Sequence, residues 1–297
     1  MINLGEFDIK SLGSRIWKKL SAEKKRRPVR KFTSGDICFL YRHPILEQFA
    51  RDLETGLFDA TAFPVKIRVF CGIHFDFKTH WQSDDLKIAI QTEQLLDSDG
   101  NALFGQEKPG IDRNILKAIS HADVVLDLSV YNKPYYEKKF GIEAADRVVF
   151  GPHVFPWKKV EFSNEGEGFL FFGHVNDRRR EKLDVTQPGN VRILPKNHFG
   201  RKLEREIRKS KAVVNIHVAD GVYTECPRLL TTYLQGKPVI SERLDHLWVA
   251  GEDYVPFESM DADLENVFDS FSRKAIECYS FRGFLDRAIA ACPERPC

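Results

Sequence analysis

The segment ECPRLLTTYLQGKPVISE begins with a carboxylate and an arginine three residues apart, Glu225 and Arg228. Side chains at positions i and i+3 of a helix share one face, so these two would lie together near the helix N-terminus. The free backbone amides at that end attract anions, phosphate among them. Thr224 is predicted to cap the helix, and Gly236 to end it before the strand PVIS. An ordinary capped helix with a surface ion pair fits the spacing equally well.

Titratable side chains follow three of the predicted strands. Glu93 follows KIAIQ, His74 and Asp76 follow KIRVFCGI, and His217 and Asp220 lie at or just beyond the end of VVNIHV. The carboxyl ends of parallel strands meet at one edge of a sheet, where ligands bind. A carboxylate or histidine at that edge can take a proton from a hydroxyl group. Such residues are more often structural, so Glu93, His74 and Asp76 are candidates for a general base.

Short apolar runs alternate with amphipathic segments along most of the chain. The first half holds five predicted strands, at 36–41, 66–73, 87–91, 123–129 and 147–151. The second half repeats the scheme, with predicted strands at 168–175, 191–195, 212–218, 238–241 and 254–257. Strands that alternate with helices need crossover connections, which favour parallel pairing. The sequence therefore predicts an α/β fold with mainly parallel sheets.

The chain is predicted to fold as two tandem Rossmann-like domains, residues 33–155 and 165–297, the second ending in C-terminal helices. Its 297 residues exceed the usual size of one domain. The boundary is expected near 153–168, where the periodicity lapses and Gly, Ser, Asn and Glu collect. Residues 1–32 precede both domains as a basic leader.

The positive charge of the chain is concentrated in that leader. Residues 18–31 carry eight Lys or Arg and one Glu, whereas the whole chain has a net charge of +2. A solvated lead-in is the favoured interpretation, with contact to an anionic membrane surface as the alternative. Binding to nucleic acid is not expected, because no aromatic residues interleave with the basic ones. Without a secretory signal or an apolar run of about 18 residues, a cytoplasmic protein is expected, at most peripheral to the inner face of a membrane.

Motifs typical of several other activities are missing from the sequence. It has no Asp-x-Asp flanked by apolar strands, no Gly-x-Gly-x-x-Gly, no phosphate loop ending in Gly-Lys-Ser or Gly-Lys-Thr, and no Gly-x-Ser-x-Gly. Its six cysteines form no Cys-x-x-Cys pair. We therefore expect no bound metal and no cofactor, and neither hydride transfer nor ATP hydrolysis is supported.

Segments of both halves together resemble GT-B glycosyltransferases. ECPRLLTTYLQGKPVISE resembles the family's Glu-x-x-Arg helix and the turn and strand after it, FFGHVNDRRREKL resembles its first strand and phosphate loop, and AVVNIHVADG resembles the strand before the Glu helix. In the first half, IAIQTEQL, ISHADVVLDLSVYNKPYYEKKFG and VVFGPHVFP resemble parts of the acceptor domain. The resemblance runs in order through most of residues 36–260 and implies two domains that face a cleft.

The resemblance implies that the carboxyl domain binds a nucleotide-activated sugar. Gly173 would lie in the phosphate loop, Glu225 would accept hydrogen bonds from the ribose hydroxyls, and Lys196 would lie in the base-contacting loop. Protein cations, without an obligatory metal, would offset the charge of the departing phosphate. Arg178, Arg179 and Lys182 follow Gly173 closely enough to supply one, with Arg178 preferred, and Arg228 would be a second. The predicted substrate-binding residues are Gly173, Asn176, Arg178, Lys196, His217, Tyr223, Glu225 and Arg228.

The implied activity is metal-independent glycosyl transfer to a carbohydrate, a lipid-linked glycan or another hydroxyl acceptor, as in polysaccharide biosynthesis. The acceptor would bind to the amino domain. A non-catalytic nucleotide- or glycan-binding module of the same fold is the alternative. Thr231 and Thr232 lie where many retaining members carry a second carboxylate, so the anomeric outcome stays open.

Overall fold

The structure, a computed structural model, describes residues 27–58, 62–103, 109–186, 191–195, 198–259 and 262–292. Most of the leader predicted at 1–32 lies outside these residues. The end of that segment belongs to strand β1 (Arg30–Ser34), which the sequence pattern did not reveal. In the part of the chain that is described, no helix is long and apolar enough to cross a membrane.

The amino half forms one six-stranded sheet whose strands follow the order of the chain. After β1 come β2 (Ile37–Tyr41), β3 (Ile67–Cys71), β4 (Leu86–Gln91), β5 (Val124–Asp127) and β6 (Val148–Phe150). Strand β1 pairs with β2 in antiparallel fashion, and all other neighbours are parallel. The five strands predicted in this half are therefore present, and the carboxyl ends of β2 to β6 share one edge.

Helices connect most of these parallel strands. They are α1 (Pro44–Gly56), α2 (Pro109–His121), α3 (Lys133–Phe140) and α4 (Ile142–Ala145). Helix α1 begins after His43, whose Nδ1 accepts a hydrogen bond from the amide of Ile45 at 3.2 Å. Phe49 and Leu53 of α1 are completely buried. This apolar face fixes α1 to the amino half.

The carboxyl half forms a five-stranded parallel sheet in the order β11-β10-β9-β7-β8. Its strands are β7 (Phe169–Phe171), β8 (Val191–Ile193), β9 (Ala212–Asn215), β10 (Val239–Ser241) and β11 (Val255–Pro256). Helices α5 (Asp177–Thr186), α6 (Arg201–Arg208) and α7 (Cys226–Tyr233) connect them. Two mainly parallel sheets confirm the predicted fold class. The strand order reverses between β7 and β9, the place where doubly wound sheets bind ligands.

The last two helices, α8 (Leu264–Tyr279) and α9 (Phe281–Ala290), return the chain toward the amino half. The amide of Phe281 donates to the carbonyl of Phe155 at 2.8 Å, and the amide of Phe155 donates to that of Tyr279 at 3.2 Å. Arg282 lies over the ring of Phe63, 4.4 Å from its centroid. Helix α9 thus contacts residues of the amino half, although it follows the carboxyl sheet in the chain.

One hydrophobic core runs continuously from the amino sheet into α7, α8 and α9, whereas the carboxyl sheet packs on three smaller clusters. Aromatic side chains form the connection. The ring of Phe155 lies 6.0 Å from that of Tyr233 and 5.2 Å from that of Phe271. Helix α7 is therefore packed against the amino half as well as against its own sheet.

Candidate functional site

Gly173 lies two residues beyond β7, at the point where the strand order reverses. Its φ of +126° belongs to the region that favours glycine. A Cβ atom at this position would lie 2.9 Å from Nη2 of Arg228. Glycine therefore lets the Arg228 guanidinium pack directly against the chain just past β7.

Helix α7 begins one residue after Glu225, which occupies the N-cap position. The prediction that Thr224 caps this helix is wrong. Its hydroxyl donates instead to Oδ2 of Asp245 at 2.7 Å, because the Thr224 side chain is completely buried beside that carboxyl group. Pro227 lies in the first turn, where the missing amide has no helical partner to lose.

Glu225, Arg179 and Arg228 form one ion-pair cluster beneath Gly173. Oε1 of Glu225 lies 2.5 Å from Nη2 of Arg179, and its Oε2 lies 2.8 Å from Nη1 of Arg228. Both guanidiniums also lie over the ring of Phe171, at 5.6 and 5.3 Å from its centroid. Burial lowers the pKa of Arg228 to about 10, which leaves it protonated at neutral pH. Two cations against one carboxylate leave this cluster with an excess positive charge, which suits an anionic ligand.

Arg178, the cation that we expected first at the phosphate, lies outside this cluster. Its Nε is 2.6 Å from Oδ1 of Asp220, and its Nη2 is 2.7 Å from Oε1 of Glu242. Arg179, which the sequence offered as a candidate behind Arg178, lies beneath Gly173 instead. The helical period could have identified Arg179, because it lies four residues before the apolar Leu183 and so on the same side of α5, and both residues are buried.

Asn176 joins the start of α5 to the segment after β9. Its Oδ1 accepts a hydrogen bond from the amide of Arg179 at 3.0 Å, and its Nδ2 donates to the carbonyl of Val218 at 2.8 Å. Asn176 thus positions α5, the helix that carries Arg178 and Arg179. Lys196 lies outside the described residues, so its contact with a base stays a prediction.

His217 and Tyr223 lie on the segment between β9 and α7. Nδ1 of His217 is 3.2 Å from the carbonyl oxygen of Gly221, so it carries the proton and Nε2 is an acceptor. Burial lowers the pKa of His217 and outweighs the opposite effect of Glu225 and Glu242, so the ring is neutral at neutral pH. The Tyr223 hydroxyl donates to the carbonyl of Thr92 in the amino half at 2.7 Å. Tyr223 therefore joins the two halves at the site.

Glu93 lies two residues beyond the end of β4, at the carboxyl edge of the amino sheet. Its Oε1 lies 3.6 Å from Nε2 of His74, and its side chain is 38% exposed. Burial raises the pKa of Tyr223, and the charges of Glu93 and Glu225 raise it further. The two carboxylates, one from each half, therefore both act on Tyr223. No helix follows β4 directly: the chain continues in an irregular segment with an isolated bridge between Leu96 and Ala102.

Asp76 has a different environment from Glu93. It accepts a hydrogen bond from the amide of Lys78 at 2.8 Å, and Nζ of Lys117 lies 3.3 Å from its carboxylate. Burial pushes the pKa of Asp76 upward, but these two partners outweigh it and the pKa lies below its usual value. A carboxylate with a lowered pKa is a weaker base than an ordinary one. Among the described residues, no three or more His, Cys, Asp or Glu side chains are grouped to hold a metal ion.

Solved structures with a similar fold exist. HepE from Anabaena, in complex with UDP-glucose, is 8% identical over 82% of this chain and 81% of its own, with a TM-score of 0.50. A trehalose-6-phosphate structure from E. coli, bound with UDP-2-fluoro glucose, is 10% identical over 98% of this chain and 94% of its own, with a TM-score of 0.37. No family model matches the sequence, and no curated protein matches it. The likeness to HepE shows that the chain has the GT-B fold, which confirms the resemblance noted in the sequence.

Replacing Glu225 with alanine should destabilise the protein, contrary to what a surface ion pair would suggest. The change leaves two buried guanidiniums without their carboxylate, which typically costs about 3–5 kcal/mol. Urea unfolding measures the loss. Asp220→Ala is the matched control, because its carboxylate also pairs with an arginine but its side chain is 77% exposed. It should cost about 1 kcal/mol or less. Equal stability of the two variants would contradict the buried cluster.

Proposed function

We propose that the chain transfers a glycosyl group from a nucleotide-activated sugar to a hydroxyl acceptor. The observation that carries the proposal is the Glu225–Arg179–Arg228 cluster, which lies at the strand-order reversal of a GT-B fold and whose Glu225, like Glu93 of the amino half, lies near Tyr223. The donor would bind to the carboxyl domain and the acceptor to the amino domain. HepE, with a similar fold, was solved with UDP-glucose, which supports a UDP-sugar as the donor.

The cluster suits a diphosphate leaving group. Transfer places positive charge on the sugar and negative charge on the departing phosphate, so fixed cations stabilise the transition state. Arg228 and Arg179 supply two such cations, and they lie beside the N-terminus of α7, which is the positive end of the helix dipole. Protein groups can thus do this work without a metal. Glu225 would accept hydrogen bonds from the ribose hydroxyls.

Glu93 is the preferred general base, with His74 beside it. It would take the proton of the acceptor hydroxyl as the new bond forms, if the enzyme inverts. Asp76 is a weaker candidate because Lys117 and the Lys78 amide already stabilise its ionised form.

Uncharged polar groups near Glu93 support a hydroxyl-rich acceptor, such as a carbohydrate or the glycan of a lipid-linked precursor. Within the described residues, several buried polar atoms on this side have no hydrogen-bond partner, namely Nε2 of Gln91, Oγ1 of Thr92, Oε1 of Gln94 and Oγ of Ser129. Nε2 of His217 in the carboxyl half is in the same state. Buried polar atoms of this kind usually find a partner, and sugar hydroxyls both donate and accept. Polysaccharide synthesis at the inner face of a membrane, reached through the basic leader, would fit such an acceptor.

A non-catalytic nucleotide- or glycan-binding module remains the second candidate. One feature of the cluster favours this module: Glu225 already accepts hydrogen bonds from two arginines, and its side chain is only 15% exposed. Such a self-contained arrangement is stable without a substrate. The transferase and a nucleotide-binding module differ in turnover rather than in nucleotide binding.

Nucleotide binding is tested first, by thermal unfolding with UDP and with UDP-glucose. A ligand at 100 times its dissociation constant should stabilise the folded chain by about 2.7 kcal/mol. Arg228→Ala should lose this stabilisation. Arg273→Ala, an exposed arginine of α8, is the control and should keep it. If neither nucleotide nor other sugar nucleotides stabilise the wild-type chain, the glycosyltransferase and the nucleotide-binding module are both wrong, and only the glycan-binding module is left.

Glu93→Gln tests the catalytic step. The change keeps the shape of the side chain but removes its basic oxygen, so transfer should fall on the order of 10² to 10⁴-fold while nucleotide affinity is unchanged. Release of the free nucleotide with acceptor present measures turnover. Asp76→Asn is the control, and a large loss there with none at Glu93 would move the base to Asp76. Nucleotide binding by the wild type without any turnover would favour the non-catalytic module.

A further inference from the structure

Asp52 is a buried carboxyl group at the contact between the two halves. It lies on α1 of the amino half, and only 4% of it is exposed. Its Oδ1 accepts a hydrogen bond from Nε2 of Gln48 at 2.7 Å, and its Oδ2 accepts one from the hydroxyl of Thr231 in α7. Thr231 lies one turn after Arg228. The carboxyl group therefore contacts the helix that carries part of the candidate donor site.

The groups around Asp52 come from three helices. From its own helix, α1, comes the Gln48 amide, whose oxygen in turn accepts a hydrogen bond from the Gly200 amide just before α6. From α7 comes the uncharged Thr231 hydroxyl. From α6 comes the charge of Glu204, which disfavours a second negative charge nearby. Within the described part of the chain, no lysine, arginine or histidine forms an ion pair with Asp52.

The protonation of Asp52 depends on whether the two halves are in contact. Burial raises its pKa from the ordinary 3.8 to about 7, although the bonds from Thr231 and Gln48 act in the opposite direction. When α7 separates from α1, water reaches the carboxyl group and its pKa returns toward the ordinary value. The closed contact therefore binds the proton more tightly than the open one. By linkage, protonation of Asp52 therefore stabilises the contact between α7 and α1. This stabilisation is lost as the pH rises through about 7.

We propose that Asp52 is a positioning residue, which in its protonated form holds α7, and with it Glu225 and Arg228, against the amino half. As the pH rises, the ionised carboxylate loosens this contact. A pH dependence of glycosyl transfer that follows from this loosening rests on the proposed function. The pH dependence of the contact between α7 and α1 does not. A measurement that needs no substrate therefore tests Asp52 separately from catalysis.

Amide hydrogen exchange of α7 in the full chain is that measurement, at pH 6 and pH 8, with the intrinsic pH dependence of exchange removed. Protection of the α7 amides in the wild type should fall about tenfold between the two pH values, as expected for a group with a pKa near 7. Asp52→Asn cannot ionise, so its α7 protection should be the same at both. Asp245→Asn is the matched control, because Asp245 is also buried and bonded to a threonine, but within the carboxyl half. In Asp245→Asn, the protection of the α7 amides should still fall about tenfold between pH 6 and pH 8.

A second variant keeps the proposal testable if Asp52→Asn does not fold. Thr231→Val removes a hydrogen bond that favours the ionised carboxylate, so the midpoint of the fall should move to higher pH. An unchanged midpoint in Thr231→Val would overturn the proposal. So would an equal fall in Asp52→Asn and the wild type.

Discussion

Two buried arginines that share one carboxylate are the constraint on which the candidate site depends. Glu225 lies within 2.8 Å of both Arg179 and Arg228, so its carboxylate offsets the cost of burying two guanidinium charges. The position of Arg228 in turn requires Gly173, since a side chain there would collide with the Arg228 guanidinium. The carboxyl ends of β7 and β9 are therefore shaped around this cluster. Its excess positive charge gives that edge of the sheet the chemistry of an anion site.

Helix α7 connects the cluster to the rest of the molecule. Its N-terminus lies beside Glu225, its apolar side enters the core shared with the amino half, and Thr231 contacts Asp52. Tyr223, just before the helix, reaches the carbonyl of Thr92 on the other side. A change in how α7 packs against α1 would thus move Arg228 relative to Glu93. Donor and acceptor chemistry, if both take place here, depend on the same contact.

Local sequence patterns predicted the parts of this fold that rest on local physics. The apolar runs that became β9 and β10 are buried on both faces, so their type and place followed from composition alone. Strand β1 was missed because Arg30 and Lys31 leave it half exposed at the edge of the sheet. The capping of α7 could not be predicted either, since the Asp245 partner of Thr224 is 21 residues away in the chain. The sequence named Gly173, Glu225 and Arg228, and the structure brings these three residues together. The sequence offered both Arg178 and Arg179, and which of them joins Glu225 depends on which side of α5 is buried.

The central claim is that the Glu225–Arg179–Arg228 cluster binds the diphosphate of a nucleotide-activated sugar. A crystal structure of the full chain with UDP at saturating concentration tests it most directly. The account predicts phosphate oxygens within hydrogen-bond distance of Arg228 or Arg179, next to Gly173 and the first turn of α7. UDP bound elsewhere on the chain, with the cluster unchanged and no phosphate beside it, would contradict the account.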